Sequence, residues 1–185
     1  MSRALAHAER IPSDAYYTPD ALAASLVALL PIEATDTVLE PHVGGGAFAR
    51  ALRGRCLHVV GCDINGESVG MRECDSGLIG DFLAFDDASY RWIVGNPPFR
   101  GFEQHVDHAL TLGRHVAFLL RLAVLESAGR VECWSRWPLR RVWCLAERPS
   151  FTGSGTDSAA YGFFWFDRMH TGPAEIVPGW SWRSA

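Results

Sequence analysis

The stretch Asn96-Pro97-Pro98-Phe99 follows the apolar run Trp92-Ile93-Val94-Gly95 and carries the residue types best suited to chemistry. Two consecutive prolines cannot continue a helix interior or a sheet ladder, so the chain must turn out of the strand here. Proline fixes φ and pushes the residue before it toward an extended shape, which makes the turn stiff. One end holds an amide that can both accept and donate hydrogen bonds; the other holds an aromatic ring. Such a site suits a flat, amino-bearing ring, with Phe99 as the stacking surface. Taken alone, the same four residues equally fit a plain turn with Phe99 plugging the core.

Three carboxylates precede this turn at comparable places. Glu40 closes Thr37-Val38-Leu39-Glu40-Pro41, Asp63 closes Leu57-His58-Val59-Val60-Gly61-Cys62-Asp63, and Asp81 lies in Leu78-Ile79-Gly80-Asp81-Phe82-Leu83. In an open α/β sheet the strand ends form the ligand crevice. Gly44-Gly45-Gly46 follows the first acid and leads into an apolar segment, the strand-loop-helix arrangement that lets backbone approach a ligand closely. Glu40 beside that loop is a poor neighbour for a pyrophosphate and can hold a cation, which favours a ligand carrying an amine over a dinucleotide. Asp63 follows Glu40 by about 20 residues, the spacing at which a Rossmann-type acid reaches ribose hydroxyls. Ile64 is placed to cover the face of an adenine.

The elements that must position these groups can be read in order. Thr18, with an N-cap hydroxyl, and Pro19 at the first helical position read as a helix start for Ala21 to Leu30, ended by Pro31. Helices are further expected over Ala47 to Leu52, about Glu67 to Cys74, and Phe102 to Leu112, with a mixed helical stretch from Leu122 to about Trp137. Besides the three acid-ended strands, Tyr90–Gly95, Val116–Leu120, Val142–Leu145 and the wholly apolar Phe163–Phe166 make seven. This is an α/β pattern, a Rossmann-like mostly parallel sheet with helices on both faces. Residues 1–15 read as a flexible arm, 16–168 as one domain and 169–185 as an irregular tail. The Gly-, Ser- and Thr-rich run from Arg148 to Ser158 reads as an exposed loop of the kind that is often functional.

Composition narrows the classes. At 185 residues with a net charge of −4, the chain fits one soluble domain and does not advertise nucleic-acid binding by total charge. All seventeen basic residues are arginine, and six lie between Arg121 and Arg148, where they form either a local basic face or a solvated surface of scattered ion pairs. Five widely spaced cysteines follow neither zinc nor disulfide spacing, and no metal site is expected. No apolar run is long enough for a membrane span and the N-terminus lacks a signal-peptide core, so a cytoplasmic protein is expected.

In this order the features resemble the class I S-adenosylmethionine-dependent methyltransferases, and within them the amino-group enzymes marked by an Asn/Asp-Pro-Pro-Tyr/Phe turn. The motif order is similar to that of small phage and prophage DNA adenine methyltransferases, over roughly Tyr16 to Asp167. The resemblance implies S-adenosylmethionine as cofactor and methyl transfer to the exocyclic amine of adenine in DNA. It places Tyr17, Thr18 and Pro19 at the methionine carboxylate, Glu40, Gly44 and Gly46 around the amino-acid part, Asp63 on the ribose, Ile64 on the adenine, and Asp81 and Phe82 at its amino group and other face. Asn96, Pro97, Pro98 and Phe99 match the catalytic turn, with Asn96 also beside the cofactor. Three glycines in a row depart from the usual alternation and imply a more flexible loop. The larger DNA enzymes carry a target-recognition domain for which this chain has no room, so a partner subunit supplying recognition is also an expectation. An RNA adenine methyltransferase, a protein glutamine methyltransferase and an inactive partner subunit remain alternatives.

Overall fold

The computed structural model describes residues 17–87, 90–151 and 157–183. Strands Thr37–Glu40 (β1), His58–Asp63 (β2), Ser76–Ile79 (β3), Tyr90–Gly95 (β4), Gly113–Arg121 (β5), Leu139–Leu145 (β6), Tyr161–Asp167 (β7) and Glu175–Trp180 (β8) form one sheet. Their order is β3-β2-β1-β4-β5-β7-β6-β8. Neighbours pair in parallel except around β7, which runs antiparallel to both β5 and β6. The order reverses between β1 and β4, so their carboxyl ends flank the switch point where open α/β sheets bind ligands.

Side-chain alternation along the strands feeds two cores. Val38, Trp92, Val94, Ala117 and Leu119 pack on one face against helices Asp20–Ala28 (α1) and Ala47–Leu52 (α2). Leu39, Ile93, Val116, Phe118 and Leu120 pack on the other against Phe102–Leu112 (α3), which buries Phe102, Val106, Ala109 and Leu112 at helical spacing. With both faces covered, β7 is buried at every residue, as its apolar sequence predicts.

Several expectations change. The sheet has eight strands rather than seven, because the tail expected to be irregular supplies β8, parallel to β6. Pro178 and Gly179 argue against a strand in sequence, but an edge position tolerates a residue without an N–H, and the pairing shifts register around them. Thr18 is not the cap of α1: Pro19 holds that position, without a side-chain cap. The helix expected near Glu67 to Cys74 is a 3-10 turn, Val69–Glu73, and the third strand ends at Ile79, which leaves Asp81 to cap the 3-10 turn Phe82–Ala84 through a bond from the Leu83 amide. Leu122 to Trp137 breaks into two 3-10 turns and the short helix Val131–Arg136 (α4). The arm expected over residues 1–15 lies outside the described residues. Among those described, no helix is long and apolar enough to cross a membrane.

The glycine loop after β1 is tied down rather than loose. The Gly44 amide donates to Asp63 (2.7 Å), the Gly70 amide donates to the Gly44 carbonyl (3.1 Å), and the Gly46 amide donates to Val43 (2.8 Å). Gly46 has φ 78°, and a Cβ added there would lie 2.6 Å from Gly70 Cα. A Cβ on Gly70 would lie 2.3 Å from the Gly46 nitrogen. Both obstacles are backbone, which cannot swing aside. Gly70→Ala is therefore expected to destabilise the fold by about 1–3 kcal/mol, the range for overpacking. Urea denaturation measures this, and an unchanged midpoint would refute the close packing.

Candidate active site

The carboxyl ends of β1 and β4 lie side by side: a Cβ on Gly95 would sit 3.5 Å from Pro41 and 3.8 Å from Glu40. Above them opens a cavity of about 430 Å³, and a recess of about 30 Å³ continues from it toward Glu40. Of the residues singled out in the sequence, Tyr17, Gly44, Asp63, Ile64, Asp81, Phe82 and Asn96 to Phe99 line the cavity; Thr18 and Glu40 line the recess with Tyr17, Gly44 and Asn96. Pro19 and Gly46 line neither. Pro19 caps α1 and Gly46 caps α2, so both act on the site only through backbone geometry.

On one side, Asp63 organises the loops. Its Oδ2 accepts from the Gly44 amide and from Ser68 Oγ (2.8 Å), and its Oδ1 accepts from the Asn65 amide (2.8 Å). Three of the roughly four acceptor positions of a carboxylate are thus used within the chain. Tyr17 lies over the glycine loop, within 3.1 Å of where a Gly45 Cβ would be. Glu40 is only 1 % exposed, and its Oε2 has no hydrogen-bond partner. Burial pushes its carboxyl well above the usual range; the Ala49 amide and Arg50 oppose the shift, and the Asp63 charge adds to it. A buried carboxylate in this state is stabilised by any cation that reaches it.

On the other side stands the turn. Asn96 Nδ2 donates to Thr18 Oγ1 (3.3 Å), so Thr18, expected as a helix cap, instead helps orient the amide. The ring of Phe99 lies 5.7 Å from that of Tyr161 and 6.3 Å from that of Phe151, and the Arg121 guanidinium sits 4.2 Å from its centroid. Arg121 Nε donates to the Tyr161 hydroxyl (3.3 Å), which donates to Asp157 (2.7 Å). Burial raises the Asp157 carboxyl, but the Ala159 amide, the Tyr161 hydroxyl, Arg121 and the Ser158 amide together hold it below the ordinary value.

The structure also assembles a group that the sequence does not announce. His42, just past β1, and His105, on α3, share a 2.9 Å hydrogen bond; His105 lines the cavity. The Phe82 ring, 3 % exposed, is enclosed by His42, His105 and His108 at centroid distances of 5.3, 6.0 and 4.8 Å. Phe82 thus offers the cavity little of the open face expected of it, while Ile64 is 77 % exposed on the opposite wall. The two histidines lie far apart in sequence, and only the β1–β4 adjacency brings them together.

The sequence matches no protein-family model and no curated protein. Solved structures do match by shape. A candidate class I S-adenosylmethionine-dependent methyltransferase from Listeria monocytogenes aligns with TM-score 0.72 at 12 % identity, over 92 % of this chain and 68 % of its own. The fold is that of S-adenosylmethionine-dependent methyltransferases. The M protein of the type I restriction enzyme EcoKI aligns with TM-score 0.68 at 13 % identity, over 84 % of this chain and 44 % of its own. The 23S rRNA methyltransferase ErmE aligns with TM-score 0.63 at 16 % identity, over 82 % of this chain and 69 % of its own. This chain therefore spans less than half the length of the EcoKI protein.

Burial, followed by the nearby His105, holds His42 well below the ordinary imidazole value. A histidine kept neutral when folded but free to protonate when unfolded stabilises the fold above about pH 6.5, and that contribution is lost as pH falls through its folded value. Glu40, with a raised folded value, acts with the opposite sign, because the native state takes up its proton first. His42→Phe removes the first effect and keeps the second. The parent is expected to lose up to about 1.4 kcal/mol more per pH unit than the variant as pH falls below about 6.5. Urea titrations of both proteins at several pH values check this; parallel pH profiles would assign His42 no part in it.

Proposed function

We propose that this chain transfers a methyl group from S-adenosylmethionine to the exocyclic amine of adenine in DNA. The observation that carries the reading is one cavity with complementary walls: an unpartnered buried carboxylate oxygen on Glu40 and the Asp63 carboxylate on one side, the Asn96–Phe99 turn on the other. The shared fold and the modification subunits among the structural neighbours support it.

The residues present fit the cofactor. Glu40 would take its ammonium group, which matches the orphaned oxygen and relieves a buried charge. Tyr17 and Thr18 would face its carboxylate, with Pro19 setting the start of α1 behind them, where a helix N-terminus favours an anion. Asp63 would accept from the ribose through its remaining acceptor position, Ser68 being the donor most easily exchanged. Ile64 would cover the adenine, with Asp81 and the His105–Phe82 wall opposite. Gly46 would act by holding Gly44 in place. When bound, S-adenosylmethionine supplies a methyl group on a sulfonium, already electrophilic.

The protein's task is then to make a conjugated amine nucleophilic. Asn96 Oδ1 and the Pro97 carbonyl would accept its two N–H groups and draw the nitrogen toward tetrahedral geometry. Thr18 holds the Asn96 amide so that its oxygen end is the one offered. Pro98 keeps the turn rigid, and Phe99 stacks on the acceptor base, a contact of about 1–3 kcal/mol. No strong base is needed, because the alkylated ammonium loses its proton readily. Catalysis rests on positioning and preorganised acceptors.

Tritium transfer to DNA, with matched RNA as a second arm because an rRNA methyltransferase shares the fold, tests the reading. Asn96→Ala is expected to lower transfer at least about 10²-fold, the cost of a lost preorganised hydrogen-bonding group, with cofactor affinity within a few-fold of the parent. Asp63→Ala is expected to weaken cofactor binding at least about tenfold, or ~1.4 kcal/mol. Full transfer by Asn96→Ala sinks the role given to the turn, and transfer to RNA alone replaces DNA as the acceptor.

A further inference from the structure

The mouth of the cavity is electrically lopsided. Its β2–β3 side carries the exposed acids Asp81, which lines the cavity, and Glu67, next in sequence to the lining residues Asn65 and Ser68. Its β4–β5–β6 side carries Arg100, Arg121 and Arg148. Arg100 follows Phe99 directly and is exposed. Arg121 ends β5 and lies over the Phe99 ring. Arg148 is exposed just beyond β6, whose carboxyl end shares a rim with those of β4 and β5 because β7 reverses direction between them. The Asp157 amide bonds to the Pro149 carbonyl (3.1 Å), which fastens the Arg148 segment to the Asp157–Tyr161–Arg121 chain beside Phe99.

Arg121 also reaches an acid, Asp157, at 3.9 Å, and the remaining arginines of the region read as basic in sequence are matched as well. Arg130 pairs with Glu103 (2.8 Å), Arg136 with Asp107 (2.5 Å), Arg140 with Asp167 (3.1 Å), and Arg141 with Glu175. Arg100 and Arg148 have no ion-pair partner among the described residues. The positive surface is thus a short strip along one side of the aromatic group Phe99, Phe151 and Tyr161, faced by acids across the cavity. A duplex carries one phosphate charge per about 1.7 Å of its axis and would extend over both sides. A strip of cations beside a stacking ring is the arrangement that fits one strand.

We propose that the acceptor reaches this site as an unpaired base within a single polynucleotide strand, its ring on Phe99 and its flanking phosphates on Arg100, Arg121 and Arg148. This rests on the methyl-transfer reading for the base and adds the form of polymer that delivers it. Arg121 then has two states. Without a strand it lies on Phe99, braced by Tyr161; with one, its guanidinium turns to a phosphate and yields the ring to the base.

Fluorescence anisotropy with one adenine-containing oligodeoxynucleotide, single-stranded and annealed to its complement, tests the proposal, with the ribo-oligomer of the same sequence distinguishing DNA from RNA. The single strand is expected to bind at least tenfold tighter than the duplex, taking ~1.4 kcal/mol as tenfold. Three phosphate contacts give log K a slope of about −2 against log salt, and Arg100→Ala with Arg148→Ala together should reduce it by about 1.4. Urea midpoints of the double variant, expected to match the parent, separate lost contacts from a lost fold. Equal or tighter duplex binding, or an unchanged slope in the folded double variant, overturns the proposal. Tritium transfer on the same oligomers is read in parallel: tight single-strand binding without transfer leaves this surface standing and overturns the proposed chemistry instead.

Discussion

The hydrogen bond from the Gly44 amide to Asp63 Oδ2, 2.7 Å long, joins the loop leaving β1 to the end of β2. As a bond to a charged acceptor it contributes on the order of 1.5–3 kcal/mol. Its larger effect is geometric. It fixes Gly44, whose carbonyl accepts from Gly70 and from Ser68 Oγ (3.2 Å), so the loop, the 3-10 turn after β2 and the acid at the end of β2 move as one piece. The same carboxylate helps raise the Glu40 carboxyl, which makes the loop's position and Glu40's charge interdependent.

The opposite wall depends on a different device, the reversal at β7. Because β7 runs against β5, its first residue Tyr161 pairs with the last residue of β5, Arg121. This pairing places a phenol and a guanidinium together beside Phe99, at the end of the neighbouring strand. A sheet parallel throughout would bring the start of that strand to the far edge of the molecule. One antiparallel strand therefore sets Tyr161 beside Arg121 and turns the carboxyl end of β6, with Arg148 and Phe151 beyond it, to the same rim.

Much of this was legible in the sequence where local signals and tertiary packing agree. β1, β2, β4, α2 and α3 follow from apolar periodicity, and the acids at or just past strand ends converge on the cavity as their positions imply. Legibility failed where distant pairing overrides local preference. Pro178 and Gly179 hide β8, which exists because β6 offers it an edge. The 3-10 turns at Val69–Glu73 and Leu122–Leu125 occupy stretches whose composition suits a longer helix. Thr18 has the residue type of a cap, yet its hydroxyl serves Asn96, a partner 78 positions away. The His42–His105 pair could not be read at all, since a lone histidine in an apolar context carries no sign of its partner. The arginine-rich stretch posed an open choice between basic face and ion-paired surface, and the carboxylates that decide it, Glu103, Asp107, Asp167 and Glu175, come from other elements.

The contact between Gly46 and Gly70 restricts how this sequence can vary. Crowding between two side chains can be relieved by shortening either one, so a harmful change at one position is often rescued at the other. Here both partners are already at the minimum size, and the obstacle to each is the other's main chain. No second substitution within the pair can compensate for the first. Variation would require the two backbone segments to separate, and the bond between Gly70 and Gly44 would carry the floor of the cavity away with them. The two positions are thus locked to glycine jointly, although they stand 24 residues apart and no local motif links them.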